Sequence, residues 1–475
     1  MENKKNFYIT TPIFYPNANP HMGHAYSSLL CDVLARYHRL LGVETYFLTG
    51  TDEHTEKVVQ AAMERNQAAD EYLEVIVARF KNLYAELGIS YDQFIRTSDR
   101  TIHWPGAIEM WNRLFAAGDI YKAKYEGLYC VGCESFLTEK DLVGGMCPDH
   151  SRVPERVTEE NYFFRLSKYS DEIRKLILSD TVQIFPAVRK NETLAFIDGG
   201  LKDVSFSRPN EKMSWGIPVP GDPGQTMYIW VDALTNYITA LGFGRGEENM
   251  RFWPGMHIIG KDILRFHTIF WPAMLLSAKI QLPRTILVHG LITSEGKKMS
   301  KTLGNVIDPF ELLAEYGTDA VRYFLVRHVH PFEDSDITKE SFKEAYNANL
   351  ANGLGNLVAR VMKLAEDNLP APVERPAPKE FPEEYVKAIE AFELNHAMDF
   401  IWNNVQKLDE RITKEEPFKL IKSKPEAGRV LIAELVVELY QVGRMLNPFM
   451  PETSKKIKEA ILANKKPETL FPRKD

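Results

Sequence analysis

The 475-residue sequence predicts an α/β fold: a parallel-sheet domain, split by a small insertion and followed by an all-helical domain. Three observations carry this. A strand–helix–strand unit fills the first 50 residues, a second strand and helix alternation returns near residue 225, and beyond about 340 the apolar residues recur only at helical spacing.

Phe7-Tyr8-Ile9-Thr10-Thr11 reads as a buried strand, and from His24 the apolar residues Leu30, Val33, Leu34, Tyr37 and Leu41 recur with helical period until Gly42. Thr45-Tyr46-Phe47-Leu48-Thr49 reads as a second strand, which completes a βαβ unit and implies a parallel sheet with its ligands at the strand ends. Met227-Tyr228-Ile229-Trp230-Val231, His257-Ile258-Ile259 and Thr285-Ile286-Leu287-Val288 read as further strands, with a helix over 262–278 between the last two. The stretch 116–224 between the two halves is of different character, charged and cysteine-bearing, and reads as an insertion. Leu354, Leu357, Val358, Val361, Leu364 and Ala365 form one apolar stripe, a Pro-rich loop follows over 370–382, and long helical patterns cover about 384–411, 426–446 and onward from 451. No internal repeat is visible.

Composition bounds the function. Hydrophobic residues make up 44% and charged residues 26%, as in a soluble globular protein, and no apolar run approaches the roughly 20 residues of a membrane span. The start leads into a strand instead of a signal peptide, so a cytoplasmic enzyme is expected. The net charge of −7 argues against a protein that coats nucleic acid. Residues 341–475 carry 21 basic and 21 acidic residues, so the excess lies in the first 340, and an RNA partner would meet local basic patches.

Two segments point to phosphate chemistry. His21 and His24 flank Gly23 at the turn from first strand to first helix, where a helix N-terminus offers free N–H groups and two imidazoles can donate to phosphate oxygens. Taken singly, they fit turn caps equally well. Lys298 and Lys301 lie between Gly296 and Gly304, a spacing suited to a loop that neutralises charge on a transferring phosphate, or to an ordinary solvated loop. A third cluster suggests metal. Cys130-x2-Cys133, a 13-residue gap and Cys147-x2-His150 give four ligands for one tetrahedral, structural Zn²⁺, with Gly144-Gly145 suited to a tight turn. Cys31 stands alone in a helical pattern and reads as a small buried hydrophobe.

In this order and setting, Pro20–His24 and Lys297–Thr302 resemble the two signature segments of class I aminoacyl-tRNA synthetases, with Met22 and Thr302 as mild variants. Thr10–Pro20, Gly50-Thr51-Asp52-Glu53-His54, Trp230–Tyr237 and Gly260–His267 resemble the methionyl-tRNA synthetases, from about residue 6 to at least 420. The resemblance implies a Rossmann-type catalytic domain in two halves, 1–115 and 225–295, a connective insertion with a zinc knuckle at 116–224, a mobile lysine loop and stem-contact region at 296–340, and a helical anticodon-binding domain at 341–475. It implies that Ile13, His21, His24 and Lys301 hold ATP, with Mg²⁺ accompanying it, and that Lys298 joins them in catalysis. It places Tyr15, Trp230, Ala233, Leu234, Tyr237, Ile263 and His267 around the methionine side chain and Asp52 on its ammonium. Chemistry agrees: a thioether favours aromatic contacts, and a carboxylate at a strand end matches an ammonium. For any one of these residues alone, a core or capping role fits as well. The insertion is too small for an editing domain, so homocysteine is expected to be rejected in the synthetic pocket.

Asn356 and Arg360 lie four apart, away from the apolar stripe, and with the helix around them resemble the anticodon-reading helix of the family. As residues alone they also fit a solvated face. Pro417-Phe418 stands where the family carries Pro-Trp, so Phe418 would stack on a base without an indole N–H. The expected partners are ATP, L-methionine and tRNA(Met), with no membrane. Ending at Asp475 without an appended domain, the chain is expected to be a monomer.

Overall fold

The computed structural model describes residues 6–130, 135–137, 139–148, 151–294, 296–299, 307–374 and 380–475. At its centre is a six-stranded parallel sheet. Strands β1 (Phe7–Phe14), β2 (Thr45–Thr51) and β3 (Gln93–Arg96) form one half, ordered β3-β2-β1. Met256–Gly260, Thr285–His289 and Gln183–Phe185 continue the sheet on the other side of β1. The strand order therefore reverses between β1 and Met256–Gly260, the place where an open parallel sheet leaves a crevice for ligands at its carboxyl ends. Both central strands of this junction are buried almost throughout, as expected of strands covered on two faces.

Helix α1 (Met22–Leu40) crosses back from β1 to β2. Met22, Ala25, Leu29, Leu30, Val33 and Leu34 are buried against the sheet, and Cys31 is fully buried among them as a small apolar side chain. Gly42, at φ 75°, ends the helix region in a conformation that costs other residues more. Where β2 meets β3, a Cβ on Gly50 would stand 2.1 Å from the Ile95 carbonyl oxygen, so only glycine permits this strand spacing.

Four elements differ from the sequence reading. Trp230 and Val231 are not in a strand: the strand Asp222–Met227 stops, Tyr228 is the extended residue before it, and a helix spans Ile229–Thr239. A short apolar run fits a strand or a buried helix equally, and here the i, i+3, i+4, i+7 spacing of Trp230, Ala233, Leu234 and Tyr237 is the deciding pattern. Residues 183–185, inside the stretch read as an insertion, return to the core sheet and pair with Thr285–Leu287. The pattern over 384–411 is two helices, Glu383–Glu390 and Leu394–Glu415. They break at Phe392, which adopts φ 61° and sets its ring 5.1 Å from Phe185 of the sheet edge. The helix over 262–278 is irregular, passing through a 3-10 turn and a π-helical stretch at Phe266–Phe270 before regular helix at Trp271–Ser277.

The rest of the insertion combines antiparallel strands, chiefly Ile120–Cys130 against Glu155–Phe164, with two helices, Ser170–Leu178 and Ala187–Asp198. Arg208 bonds it to the catalytic half: its guanidinium pairs with Glu56 and Glu159 and lies 4.2 Å from the Tyr129 ring centroid. The helix Thr318–His328 ties α1 to the helical domain through a fully buried joint. Arg322 pairs with Asp32 of α1 at 2.7 Å and donates to the carbonyls of Leu87, Pro448 and Phe449.

Candidate active site

The histidine end of the site is made by β1 and α1. His21 is the N-cap of α1, and its Nδ1 accepts from the Gly23 N–H at 3.1 Å. His24 answers in a reciprocal capping box: its Nδ1 accepts from the His21 N–H at 3.0 Å. The rings stack with centroids 3.8 Å apart. Because each Nδ1 faces a backbone N–H that can only donate, each neutral imidazole carries its hydrogen on Nε2. Burial, with Phe14 and Phe80 against the ring, and the neighbouring His21 hold His24 well below the usual imidazole pKa. It is thus a neutral donor placed at the positive end of a helix. The cap takes Nδ1 of each ring, so a donor role toward a ligand would fall to Nε2.

Tyr15 follows β1 directly, and the Lys57 ammonium sits 4.5 Å over its ring. Ile13 and Tyr15 are half-buried, on and just past the end of β1. Asp52 follows β2; its side chain is buried, and its N–H donates to the Phe14 carbonyl at 2.9 Å. Next to it Glu53, fully buried, accepts from Thr51 at 2.6 Å, Arg96 at 2.8 Å and Ser98, while its own N–H donates to Thr97. This network fixes the Asp52 backbone, and nothing in the spacing of the sequence points to it.

The remaining residues expected around a methionine side chain come from two helical segments. Trp230, Ala233, Leu234 and Tyr237 share one face of the Ile229–Thr239 helix, and all are buried. The Trp230 ring stacks on Phe266, centroids 3.4 Å apart and 10° from parallel. Half-buried Ile263 and buried His267 follow the Met256–Gly260 strand. His267 Nδ1 donates to the Ile263 carbonyl at 3.0 Å, so its Nε2 accepts from the Tyr237 hydroxyl at 2.6 Å. Burial lowers the His267 pKa to about 4, which keeps the ring neutral. Tyr237, His257 and Trp271 pack behind, with Trp271 Nε1 donating to His257 Nε2 at 3.2 Å. His289 stands at the end of Thr285–His289, its Nε2 2.7 Å from Ser27 Oγ of α1. That contact, like the Glu53 network, is absent from the sequence reading.

The other predicted residues lie in other segments or outside the described residues. The backbone of Lys297–Lys298 pairs with Thr293–Ser294, after Gly296 at φ 69°, while Lys301 lies outside. Cys130 and Cys147 are buried, and Gly144 and Gly145, both at positive φ, make the turn between Val143 and Met146. Cys133 and His150 lie outside the described residues, among which no group of three metal-ligating side chains gathers. Asn356 is exposed at the first turn of Asn356–Asn368, Arg360 pairs with Asp409 of the neighbouring helix, and Phe418 is exposed on Pro417–Ser423. No helix among the described residues is long and apolar enough to cross a membrane.

The family model for class I tRNA synthetases (M) matches residues 7–153 and 150–362. The methionine–tRNA ligase of Caldanaerobacter subterraneus subsp. tengcongensis is 42% identical, over 96% of this chain and 74% of its own length. That of Brucella melitensis is 40% identical, over 97% of this chain and 92% of its own. Among solved structures, Mycobacterium tuberculosis methionyl-tRNA synthetase in complex with methionyl-adenylate superposes with a TM-score of 0.88 at 37% identity, covering 99% of each chain. Its apo form gives 0.81 at 34% identity. The chain belongs to the class I tRNA synthetases, in the branch of the methionine–tRNA ligases.

Proposed function

We propose that this chain activates L-methionine with ATP and transfers it to tRNA(Met), with the site residues acting as follows. The methionine carboxylate oxygen attacks the α-phosphorus in line, an O–P bond forms, the bond to the β-phosphate oxygen breaks, and pyrophosphate leaves. The Nε2–H groups of His21 and His24 donate to the phosphates beside Ile13, and Lys298 and Lys301 neutralise the departing pyrophosphate. No covalent enzyme intermediate is needed, since positioning and electrostatics lower the barrier. Asp52 faces the ammonium; Tyr15, Trp230, Ala233, Leu234, Tyr237, Ile263 and His267 enclose the thioether. The 2′ hydroxyl at the tRNA 3′ end then attacks the carbonyl carbon of the adenylate and expels AMP.

The observation that carries this reading is the meeting, at the carboxyl ends of the central strands, of a stacked imidazole pair on a helix N-terminus with a cluster of buried aromatic residues. Methionyl-adenylate is the ligand of the Mycobacterium tuberculosis relative. Mg²⁺ accompanies ATP and shields its phosphate charge. Cys130, Cys133, Cys147 and His150 would hold one structural Zn²⁺: two buried cysteines in a stretch whose other side chains are largely exposed suit a metal more than a packed core. Asn356, Arg360 and Phe418 read the anticodon loop, and the enzyme works as a cytoplasmic monomer.

Charging tests this. With ATP and methionine, purified protein should aminoacylate a tRNA(Met) transcript and leave a tRNA of another anticodon uncharged. Adenylate formation without transfer to any tRNA would overturn it.

A further inference from the structure

The helix Ile229–Thr239 has two buried faces, and the pocket uses only one. On the opposite face Asp232, fully buried, presents a carboxylate oxygen to each of two histidines. Its Oδ2 lies 2.6 Å from His54 Nδ1 and its Oδ1 lies 2.6 Å from His103 Nε2. The second ring nitrogen of His103 reaches Thr239 at 2.8 Å, two turns on along the same helix face. His54 is 2% exposed and His103 0%. Burial pushes the Asp232 pKa up, but the attraction and hydrogen bonds of the His54 and His103 imidazoles outweigh it and hold the group at about 2, so it is ionised.

A buried carboxylate is a costly way to hold a helix that apolar packing could hold. What the charge adds is direction, since each oxygen fixes one imidazole nitrogen. The choice of imidazole partner matters because His54 stands two residues after Asp52, on the loop that Glu53 and Trp215 pin from below; Trp215 Nε1 donates to the Glu53 carbonyl at 2.8 Å, and its ring meets His54 edge-on at 5.9 Å. The loop end that carries Asp52 and the helix that carries Trp230, Ala233, Leu234 and Tyr237 belong to elements about 180 residues apart. The His54–Asp232 hydrogen bond joins them directly.

We propose that Asp232, through His54 and His103, is a positioning residue that sets the distance between the ammonium anchor at Asp52 and the thioether pocket on the Ile229–Thr239 helix. This rests on the assignment of those two subsites given above. Asp232 does not touch methionine. Its effect falls on ligands that occupy both subsites at once, because only these depend on their separation.

The test is equilibrium binding to the full chain, followed by the fluorescence of the pocket tryptophan, with two probes: L-methionine and 4-(methylthio)butanoate, the same skeleton without the ammonium. Asp232→Asn keeps the shape but sets an amide N–H against an imidazole N–H. It should weaken L-methionine about tenfold or more and the ammonium-free probe less than about twofold. If Asp232→Asn does not fold, His54 carries the same test. His54→Ala should reproduce the effect, and His54→Asn, whose amide nitrogen takes the place of Nδ1, should restore binding to within about threefold of wild type. Equal weakening of both probes, no weakening of L-methionine, or no difference between His54→Ala and His54→Asn would overturn the proposal. Failure of the underlying site reading looks different: the wild-type protein itself would then bind both probes equally.

Discussion

The Tyr237 hydroxyl donates to Nε2 of His267 at 2.6 Å, in a buried contact between two elements that each carry residues of the proposed methionine site. The tautomer follows from the Ile263 carbonyl on the other side of the ring. Tyr237→Phe would leave a buried nitrogen without its donor, at about 1–3 kcal/mol of stability. The methionine KM should rise about tenfold, while the KM for ATP stays within about twofold, as expected of a contact to one substrate only. Steady-state exchange kinetics with each substrate varied in turn check this; a matching rise in both values would contradict it.

Stability should fall on mild acidification. His267, His38 and His328 all sit near a pKa of about 4, lowered chiefly by burial. In the unfolded chain each binds a proton near the ordinary value of about 6.5. Between those values the unfolded state holds more protons, so stability is complete above about 6.5 and is lost as pH falls toward 4. For His267 alone, the loss between pH 7 and pH 5 is about 2 kcal/mol. Urea unfolding at the two pH values should show a steeper loss in wild type than in His267→Gln. Parallel losses would contradict the assignment.

The phosphate end makes its own prediction. His24→Ala and Lys301→Ala should each slow adenylate formation about 10²-fold or more, as losses of transition-state donors do. His24→Gln, whose amide nitrogen can replace the Nε2–H, should lose less than His24→Ala. Single-turnover rates with saturating methionine measure this, and an unchanged rate in Lys301→Ala would refute the role.

Much of this site was legible in the sequence, for physical reasons that also mark where it stopped. The βαβ unit and the His21–His24 cap are local, so period and turn chemistry reveal them. Trp230 was misplaced in a strand because the run of five apolar residues, Met227 to Val231, carries no period of its own. Glu53, His103, Asp232 and His289 were overlooked as functional groups because their partners come from distant segments, 129 to 262 residues away for His103–Asp232 and Ser27–His289. A buried polar side chain declares itself only when its partner is seen.

The proposed metal site and tRNA face should be separable from activation. Purified protein should carry about one zinc per chain. Cys147→Ser should lower that content and the thermal midpoint together, measured by elemental analysis and calorimetry. Arg360→Ala, which also removes the Asp409 pair, should raise the KM for tRNA about tenfold or more and leave pyrophosphate exchange within about twofold. A fall in exchange would place Arg360 in the stability of the bundle instead of in RNA recognition.

The most direct measurement is amino-acid-dependent exchange of pyrophosphate into ATP, run in parallel with methionine, leucine, isoleucine and homocysteine. One methyl group distinguishes poorly, at about 1–3 kcal/mol, so the margin over homocysteine should be roughly 10- to 200-fold and over the branched amino acids larger. Exchange that depends on methionine above all others is the predicted result. Exchange driven equally by leucine or isoleucine, or none with any amino acid, would contradict the account.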